Sequence, residues 1–282
     1  MTRTHRILAP GLLACLAASV LHAEEQSVDE LLVEARQAFE RGDSKQALAL
    51  ADRAVASDGK SVRAVYVRGL LHEAMRNHSQ ALADFNRVLQ LKPEHADAYD
   101  HRGSEQFKLG RIAESIADFD KAIELDPARE RGHWKRGISY YYAGRFDEGR
   151  KQFEQYQTFD DNDVENAVWR YLCMARSVGA SEAQKDILKI KDDRRVPMMQ
   201  VHALYAGRLK PEEVLAAARV GEPSPEELNA RLFYAELYLG LYYEAAAQPD
   251  QAAEHLAAAV KHRIGHYMWD VARVDSERLK DR

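Results

Sequence analysis

The chain repeats itself at an interval of 34 residues. Three glycines that each follow an arginine, and three phenylalanines, recur at this interval: Gly69, Gly103 and Gly137, then Phe85, Phe119 and Phe153. A fixed period of this length is typical of repeat proteins, in which each short unit buries its apolar face against its neighbours. The sequence therefore predicts a stack of similar units.

The composition favours helices within each unit. Of the 282 residues, 46% are apolar and 30% are charged, with only 8 prolines and 15 glycines. Most of the others are good helix formers such as Ala, Leu, Glu and Lys. Because helices shorter than about fifteen residues are marginal alone, neighbouring helices must pack together. We expect an all-α solenoid of stacked helical hairpins.

Four units follow one another without insertion, at 28–61, 62–95, 96–129 and 130–163. Numbered from 1 to 34, most of them carry small residues at 8, 20 and 27, and two carry proline at 32. Small side chains let two helix backbones approach, and proline stops the second helix. This pattern resembles the tetratricopeptide repeat (TPR), which implies one helix-turn-helix hairpin per unit. The position-8 glycines would allow the approach, and the phenylalanines would fill the space between neighbouring hairpins.

After residue 163 the 34-residue register is lost, although apolar residues still recur at helical spacing. We expect an irregular helical segment over 164–232. A fifth unit is predicted at 233–266, with Gly240 at the close-packing position. Residues 267–282 are expected to form a C-terminal capping helix and tail.

The first 23 residues resemble a secretory signal peptide. Arg3 and Arg6 precede an apolar run, an order that predicts export with cleavage after Ala23. The segment "LLAC" resembles a bacterial lipobox, which would instead make Cys15 a lipidated N-terminus. We favour Ala23 because the apolar run extends past Cys15. Cleavage there moves the net charge from -5 to -7, which disfavours nucleic acid as a partner.

The order of the elements is more specific than the repeat itself. The passages "RGISYYYAGRFDEGRKQFEQY", "FDDNDVENAVWRYL", "LYAGRLKPEEVL" and "FYAELYLGLYYEAAAQPDQAAEHLAAAV" resemble the NlpI-type TPR lipoproteins of the bacterial envelope. This resemblance implies a scaffold that forms a homodimer and brings cell-wall hydrolases together with a processing protease. Membrane attachment would come only through a lipid anchor. The alternative is a general periplasmic TPR module of a secretion or assembly complex.

The TPR resemblance also implies a concave groove lined by the first helix of each unit. Proteins or peptides would bind there, because Trp, Tyr and Arg anchors carry much of the binding energy at interfaces. Several of these rings could instead fill space between repeats. The predicted groove residues are Arg36, Arg63, Tyr66, Asp100, His101, Ser104, Phe107, Lys108, Arg131, Trp134, Lys135, Tyr141 and Tyr142.

The arginine before each repeated glycine invites a phosphate-binding interpretation. Arg68, Arg102 and Arg136 fall on the side of the first helix that faces the second helix of the unit. Asp84 and Asp118 recur at position 23 of two units. We therefore expect structural arginine-aspartate pairs within the hairpins.

The sequence favours a protein without enzymatic activity, cofactor or metal. No glycine-rich phosphate loop, nucleophile elbow or zinc-cysteine set is present. Cys173 lies in an apolar helical stripe and is expected to be an inert buried thiol. His262 and His266 have the spacing of two metal ligands on one helix, but Gly265 beside a helix end weakens that geometry. An enzyme whose site lies in 164–232 is the remaining alternative.

Overall fold

The computed structural model describes residues 26–280, which form helices and no strand. The predicted all-α solenoid is confirmed. The helices are α1 (Val28–Glu40), α2 (Ser44–Ser57), α3 (Val62–Ala74), α4 (His78–Leu91), α5 (Ala96–Lys108), α6 (Ile112–Leu125), α7 (Trp134–Tyr142), α8 (Phe146–Tyr156), α9 (Val164–Val178), α10 (Ala180–Lys185), α11 (Met198–Tyr205), α12 (Pro211–Ala218), α13 (Pro225–Ala245), α14 (Pro249–Lys261) and α15 (Tyr267–Lys280). A short 3-10 helix, Pro127–Arg129, precedes α7. The predicted signal segment and Cys15 lie outside the described residues.

Helices α1 to α8 form four hairpins, one in each of the four predicted units. We call the first helix of a hairpin its A helix and the second its B helix. Side chains fix where several helices begin: Ser27 and Glu30 form a reciprocal capping box at α1, and Asp43 caps α2. Such caps satisfy amide groups that have no partner inside the helix. In the fourth unit, turns delay the A helix until Trp134.

Glycine at position 8 brings the two helices of a hairpin together. A Cβ atom built on Gly103 would lie 2.9 Å from the ring of Phe119, and one built on Gly137 would lie 2.7 Å from the ring of Phe153. Equivalent close approaches occur at Gly69, against Phe85, and at Gly240, against Leu256. Any larger side chain at these positions must displace a buried neighbour.

The repeated arginines join the B helices of successive hairpins. Arg102 binds both carboxylate oxygens of Asp118 at 2.6 Å and also donates to Asn86, on the preceding B helix, at 2.9 Å. Arg68 makes the same pair of contacts, with Asp84 at 2.6 and 2.9 Å and with Asp52 at 3.2 Å. Each arginine is thus tied to its own B helix and to the one before it, as a structural role requires.

The second half of the chain packs onto the fourth hairpin. Helix α9 lies against α8 and buries Trp169 and Cys173. Helix α13 runs for 21 residues and forms a long hairpin with α14. One apolar core extends from Phe107 in α5 to Val274 in α15, so the repeats and the later helices share a core. None of the helices between residues 26 and 280 is long and apolar enough to cross a membrane.

Helix α15 does not extend the stack beyond α14. The chain turns back after α14, and α15 packs across the A helices α5 and α7. It buries Met268, Val271, Ala272 and Val274 in the shared core. The helix predicted as a terminal cap therefore lies inside the concave face.

Candidate protein-binding groove

The A helices α1 and α3 present an open part of the concave face. The side chains of Arg36 and Arg63 are 81% and 63% exposed. Arg36 pairs with Glu40 at 2.8 Å, and Arg63 pairs with Asp29. Both arginines lie in exposed pairs that contribute little to stability, so a partner could engage them at small cost.

Aromatic contacts hold the start of α15 against α5 and α7. The ring of Tyr267 lies 5.5 Å from that of Phe107 and meets Trp134 edge-on at 5.3 Å between ring centres. The ammonium groups of Lys108 and Lys135 lie 5.7 and 5.9 Å from the centre of the Tyr267 ring. Tyr267 thus occupies the middle of the predicted groove.

Two arginines fix the rest of α15. Arg273 donates to the backbone carbonyl of Lys108 at 2.5 Å. Arg278 donates to Glu244 of α13 at 2.5 Å and lies 5.7 Å from the ring centre of Tyr142. Four predicted groove residues are buried, namely Ser104, Phe107, Lys108 and Tyr141. Tyr142 is half-buried.

Charged side chains between the A helices form compact networks. Glu73 accepts from Lys108 at 2.9 Å and lies 2.7 Å from Nδ1 of His101. Burial opposes ionisation of Glu73, yet the contacts with His101 and Lys108 lower its pKa to about 2. Glu73 is therefore a fixed negative charge at neutral pH.

A second network lies one repeat further along. Asp100 accepts from Lys135 at 2.8 Å, and Nε2 of His133 lies 2.9 Å from its other oxygen. Although burial opposes ionisation, these contacts hold the pKa of Asp100 well below its ordinary value. Lys135 is half-buried beside Trp134, while Arg131 is exposed in the turn that precedes α7.

Arg76 breaks the pattern of the hairpin turns. The turns of the other three hairpins among α1 to α8 have glycine at the equivalent position, with φ between 73° and 82°, whereas Arg76 adopts φ 59°; Ala247 has φ 56° in the turn between α13 and α14. Left-handed backbone costs a residue with a side chain about 1–2 kcal/mol. Here the side chain reaches α15: it donates to Asp270 at 2.9 Å and to the carbonyl of Ile264 at 2.8 Å, and it stacks 4.4 Å from the ring centre of Trp269. The strained turn is thus a clamp for α15.

What remains of the groove is a channel beside the start of α15. Its part against α3 and α5 has a volume of about 270 Å³, and its continuation past Trp134 has about 290 Å³. The half-buried Tyr66 packs against His101 at its edge, at 5.8 Å between ring centres. The polar and aromatic residues that line the channel are Glu73, Arg76, His78, Asp100, His101, Ser104, Lys108, Arg129, His133, Trp134, Lys135, Phe159, His266, Tyr267 and Asp270.

A separate recess, which we call the side pocket, lies behind Trp134. It has a volume of about 190 Å³ and is lined by Trp134, Ile138, Phe153, Tyr156, Asp163, Glu165, Asn166, Trp169, Arg195, His266 and Met268. Trp134 and His266 line both the side pocket and the channel. This pocket has no signature in the sequence, because its residues come from distant segments that share no periodic signal.

Neither the cysteine nor the histidine pair forms a reactive or metal-binding site in the described part of the chain. Cys173 is fully buried, and burial raises the pKa of its thiol. Among residues 26–280, no group of His, Cys, Asp and Glu is arranged to hold a metal ion. His262 precedes the turn and contacts Asn229, while His266 follows it and contacts Tyr234, so the two do not share a helix.

Two parts of the sequence match known repeat families. Residues 103–144 match the family described as TPR repeat, and residues 32–96 match the family described as Tetratricopeptide repeat. A 66-residue stretch is 36% identical to the Tetratricopeptide repeat and J domain-containing co-chaperone DNJ1 of Fusarium oxysporum f. sp. lycopersici. That match covers 23% of this chain and 13% of the length of the relative. The first half of the chain therefore carries TPRs, which are protein-interaction repeats.

Solved TPR structures share the fold. A TPR protein from Parabacteroides merdae is 13% identical, with 91% of this chain and 100% of that chain covered at a TM-score of 0.59. YrrB, a TPR protein with an unusual peptide-binding site, is 20% identical, with coverages of 66% and 94% and a TM-score of 0.55. MamA is 16% identical, with coverages of 70% and 98% and a TM-score of 0.54. These likenesses support the helical solenoid.

Proposed function

We propose that this chain is an exported, non-enzymatic TPR scaffold that binds proteins or peptides in the channel between its A helices and α15. The observation that carries the proposal is the channel itself: it combines half-buried aromatic rings with lysine, arginine and histidine side chains held in place by ion pairs. Preorganised aromatic and cationic groups are the usual anchors of protein interfaces. YrrB, which has a similar fold, has a peptide-binding site.

The place of action that we propose is the bacterial envelope. The basic and apolar order of the first 23 residues supports export, and the resemblance to NlpI-type lipoproteins supports cell-wall hydrolases or a processing protease as clients. The same resemblance supports a homodimer. A general periplasmic module of a secretion or assembly complex would use the same channel with other clients.

A photo-crosslinking amino acid tests the binding surface. It replaces Lys135 on the A helix of the fourth hairpin, and in a matched control it replaces Lys151, an exposed lysine on the B helix of the same hairpin. We expect irradiation of intact cells to yield a specific adduct from position 135 and none from position 151. Equal adducts from both positions, or none from position 135, would contradict a channel-bound client.

Mass spectrometry of the protein recovered from the envelope tests export. A mature chain that begins at Glu24 supports signal cleavage after Ala23, and a lipidated chain that begins at Cys15 supports an anchored form. Recovery of the uncleaved chain from the cytoplasm alone would contradict the envelope location. Light scattering of the purified protein then distinguishes a homodimer from a monomer.

A further inference from the structure

We propose that the side pocket receives a cationic side chain, lysine or arginine, of the polypeptide bound in the channel. This inference rests on the proposed scaffold function and adds the chemistry of what the scaffold recognises. Nothing in the repeat pattern assigns a role to this recess, which lies between the fourth hairpin and the later helices.

The recess carries an excess of negative charge. Arg195 contacts three carboxylates, those of Asp163, Glu165 and Asp193, each at 2.6 Å. Two of these acids, together with Arg195, line the pocket. Even with Glu165 protonated, the carboxylates of Asp163 and Asp193 outnumber the one guanidinium, so the recess attracts a cation and repels a carboxylate or phosphate. Burial raises the pKa of Glu165 to about 7, and an incoming cation would favour its ionised form.

A buried carbonyl oxygen in the recess lacks a partner. Asn166 lines the pocket and is only 3% exposed. Within residues 26–280, its Oδ1 has no hydrogen-bond partner. Buried polar atoms are nearly always paired, and leaving one unpaired costs about 1–3 kcal/mol. The carbonyl oxygen of Asn166 is suited to accept a hydrogen bond from an ammonium or guanidinium group.

The walls of the side pocket are largely aromatic, which favours a long cationic side chain. Aromatic rings from three helices surround the recess: Trp134 of α7, Phe153 and Tyr156 of α8, and Trp169 of α9. Aromatic faces attract cations and also bury the methylene stem of lysine or arginine. A volume of about 190 Å³ is below the range of pockets that take whole small molecules and suits a single side chain.

Position links the pocket to the channel. Trp134 and His266 belong to the walls of both, so a chain lying in the channel passes the mouth of the pocket. A single long side chain can therefore leave the channel and enter the recess. The three carboxylates are already bridged by Arg195, which argues for an organic cation rather than a metal ion.

The test uses small probes and the full chain. Nα-acetyl-lysine methylamide and Nα-acetyl-arginine methylamide are titrated against the protein, with the norleucine analogue as the uncharged control of similar shape. The indole N–H signals of the three tryptophans report binding by NMR. We expect the lysine or arginine probe to shift the signals of Trp134 and Trp169 saturably. The signal of Trp269, whose indole N–H donates a hydrogen bond to the backbone carbonyl of Val260, should remain unchanged.

Charge-neutral variants show whether the carboxylates are responsible. Glu165→Gln should weaken binding of the cationic probe about tenfold, since a hydrogen bond to a charged group is lost. Asp192→Asn removes the same charge from an exposed loop residue next to Asp193 and should leave binding unchanged. If norleucine binds as well as the cationic probes, if none of the probes binds, or if the two variants behave alike, the proposal is overturned.

Failure of this inference is distinct from failure of the scaffold. If the crosslinker at position 135 captures a client while the cationic probes do not bind, the channel functions without the pocket. If the probes bind as expected but position 135 captures nothing, the scaffold proposal fails although the recess does take a cation.

Discussion

The clamp at Arg76 gives the sharpest prediction about how α15 is held. Arg76→Ala removes the hydrogen bonds to Asp270 and Ile264 and the stacking on Trp269, but it keeps a side chain in a left-handed turn. A hydrogen bond between charged groups contributes about 1.5–3 kcal/mol, and a cation–π contact about 0.5–2 kcal/mol. We expect Arg76→Ala to lower the free energy of unfolding by about 2–4 kcal/mol.

Arg76→Gly separates the strain from the contacts. It loses the same contacts but relieves the left-handed backbone, so it should be about 1 kcal/mol more stable than Arg76→Ala and still less stable than the wild type. The matched control is Gly110→Ala at the equivalent turn of the next hairpin. A Cβ there meets nothing within 4 Å, so only the backbone cost of about 1 kcal/mol is expected.

Urea denaturation followed by far-ultraviolet circular dichroism measures the three variants, with equal slopes required before midpoints are compared. Hydrogen exchange should be faster in α15 for both Arg76 variants and unchanged there for Gly110→Ala. If Arg76→Ala is as stable as the wild type, the clamp contributes nothing. If the two Arg76 variants are equally stable, the turn is not strained.

Three further perturbations test other parts of the molecule. Gly103→Leu must displace a buried ring and should cost about 1–3 kcal/mol or more in urea denaturation; a neutral result would contradict the hairpin packing. Arg102→Ala leaves the carboxylate of Asp118 unpaired, so it should lower the free energy of unfolding, measured by thermal melts, by about 3 kcal/mol without reducing client capture. Lost capture at an unchanged melting temperature would contradict a structural role. Burial raises the pKa of Glu165 to about 7, above its unfolded value. The folded state therefore holds this proton more tightly, and the stability that the proton confers is full at acid pH and lost as the pH rises to 7. Glu165→Gln should remove this pH dependence, which is on the order of 3 kcal/mol; an unchanged dependence of the unfolding free energy on pH would contradict the reasoning.

The sequence predicts the hairpins well because their signal is local. Small residues recur where two backbones approach, and a left-handed turn residue recurs between the helices. Both features involve contacts inside one unit or with the next, so a 34-residue period records them. The same reasoning predicted the arginine-aspartate pairs, since both partners keep fixed positions in the unit.

The position of α15 could not be predicted in the same way. Arg76 and Asp270 are separated by 194 residues, and no periodic pattern connects them. Within the first four hairpins, Arg76 stands where Gly42, Gly110 and Gly144 occupy the other turns. Ala247 also has a left-handed backbone, in the turn between α13 and α14, and its methyl group can make no comparable contact, so this exception does not by itself identify a clamp.

The side pocket escaped prediction for a related reason. Three of its residues lie within one and a half turns of α9, namely Glu165, Asn166 and Trp169, but Arg195 and Trp134 come from other segments. On α9 alone, the acid and the tryptophan match an ordinary amphipathic helix. Only the folded chain brings three carboxylates onto one guanidinium beside a wall of aromatic rings.

The footprint of a captured client tests the central claim most directly. Hydrogen exchange of the purified complex is compared with that of the free chain. If partners bind in the channel, exchange slows in α5, in α7 and in residues 264–270. Slower exchange confined to the B helices α4, α6 and α8 would place the partner on the convex face and contradict the account.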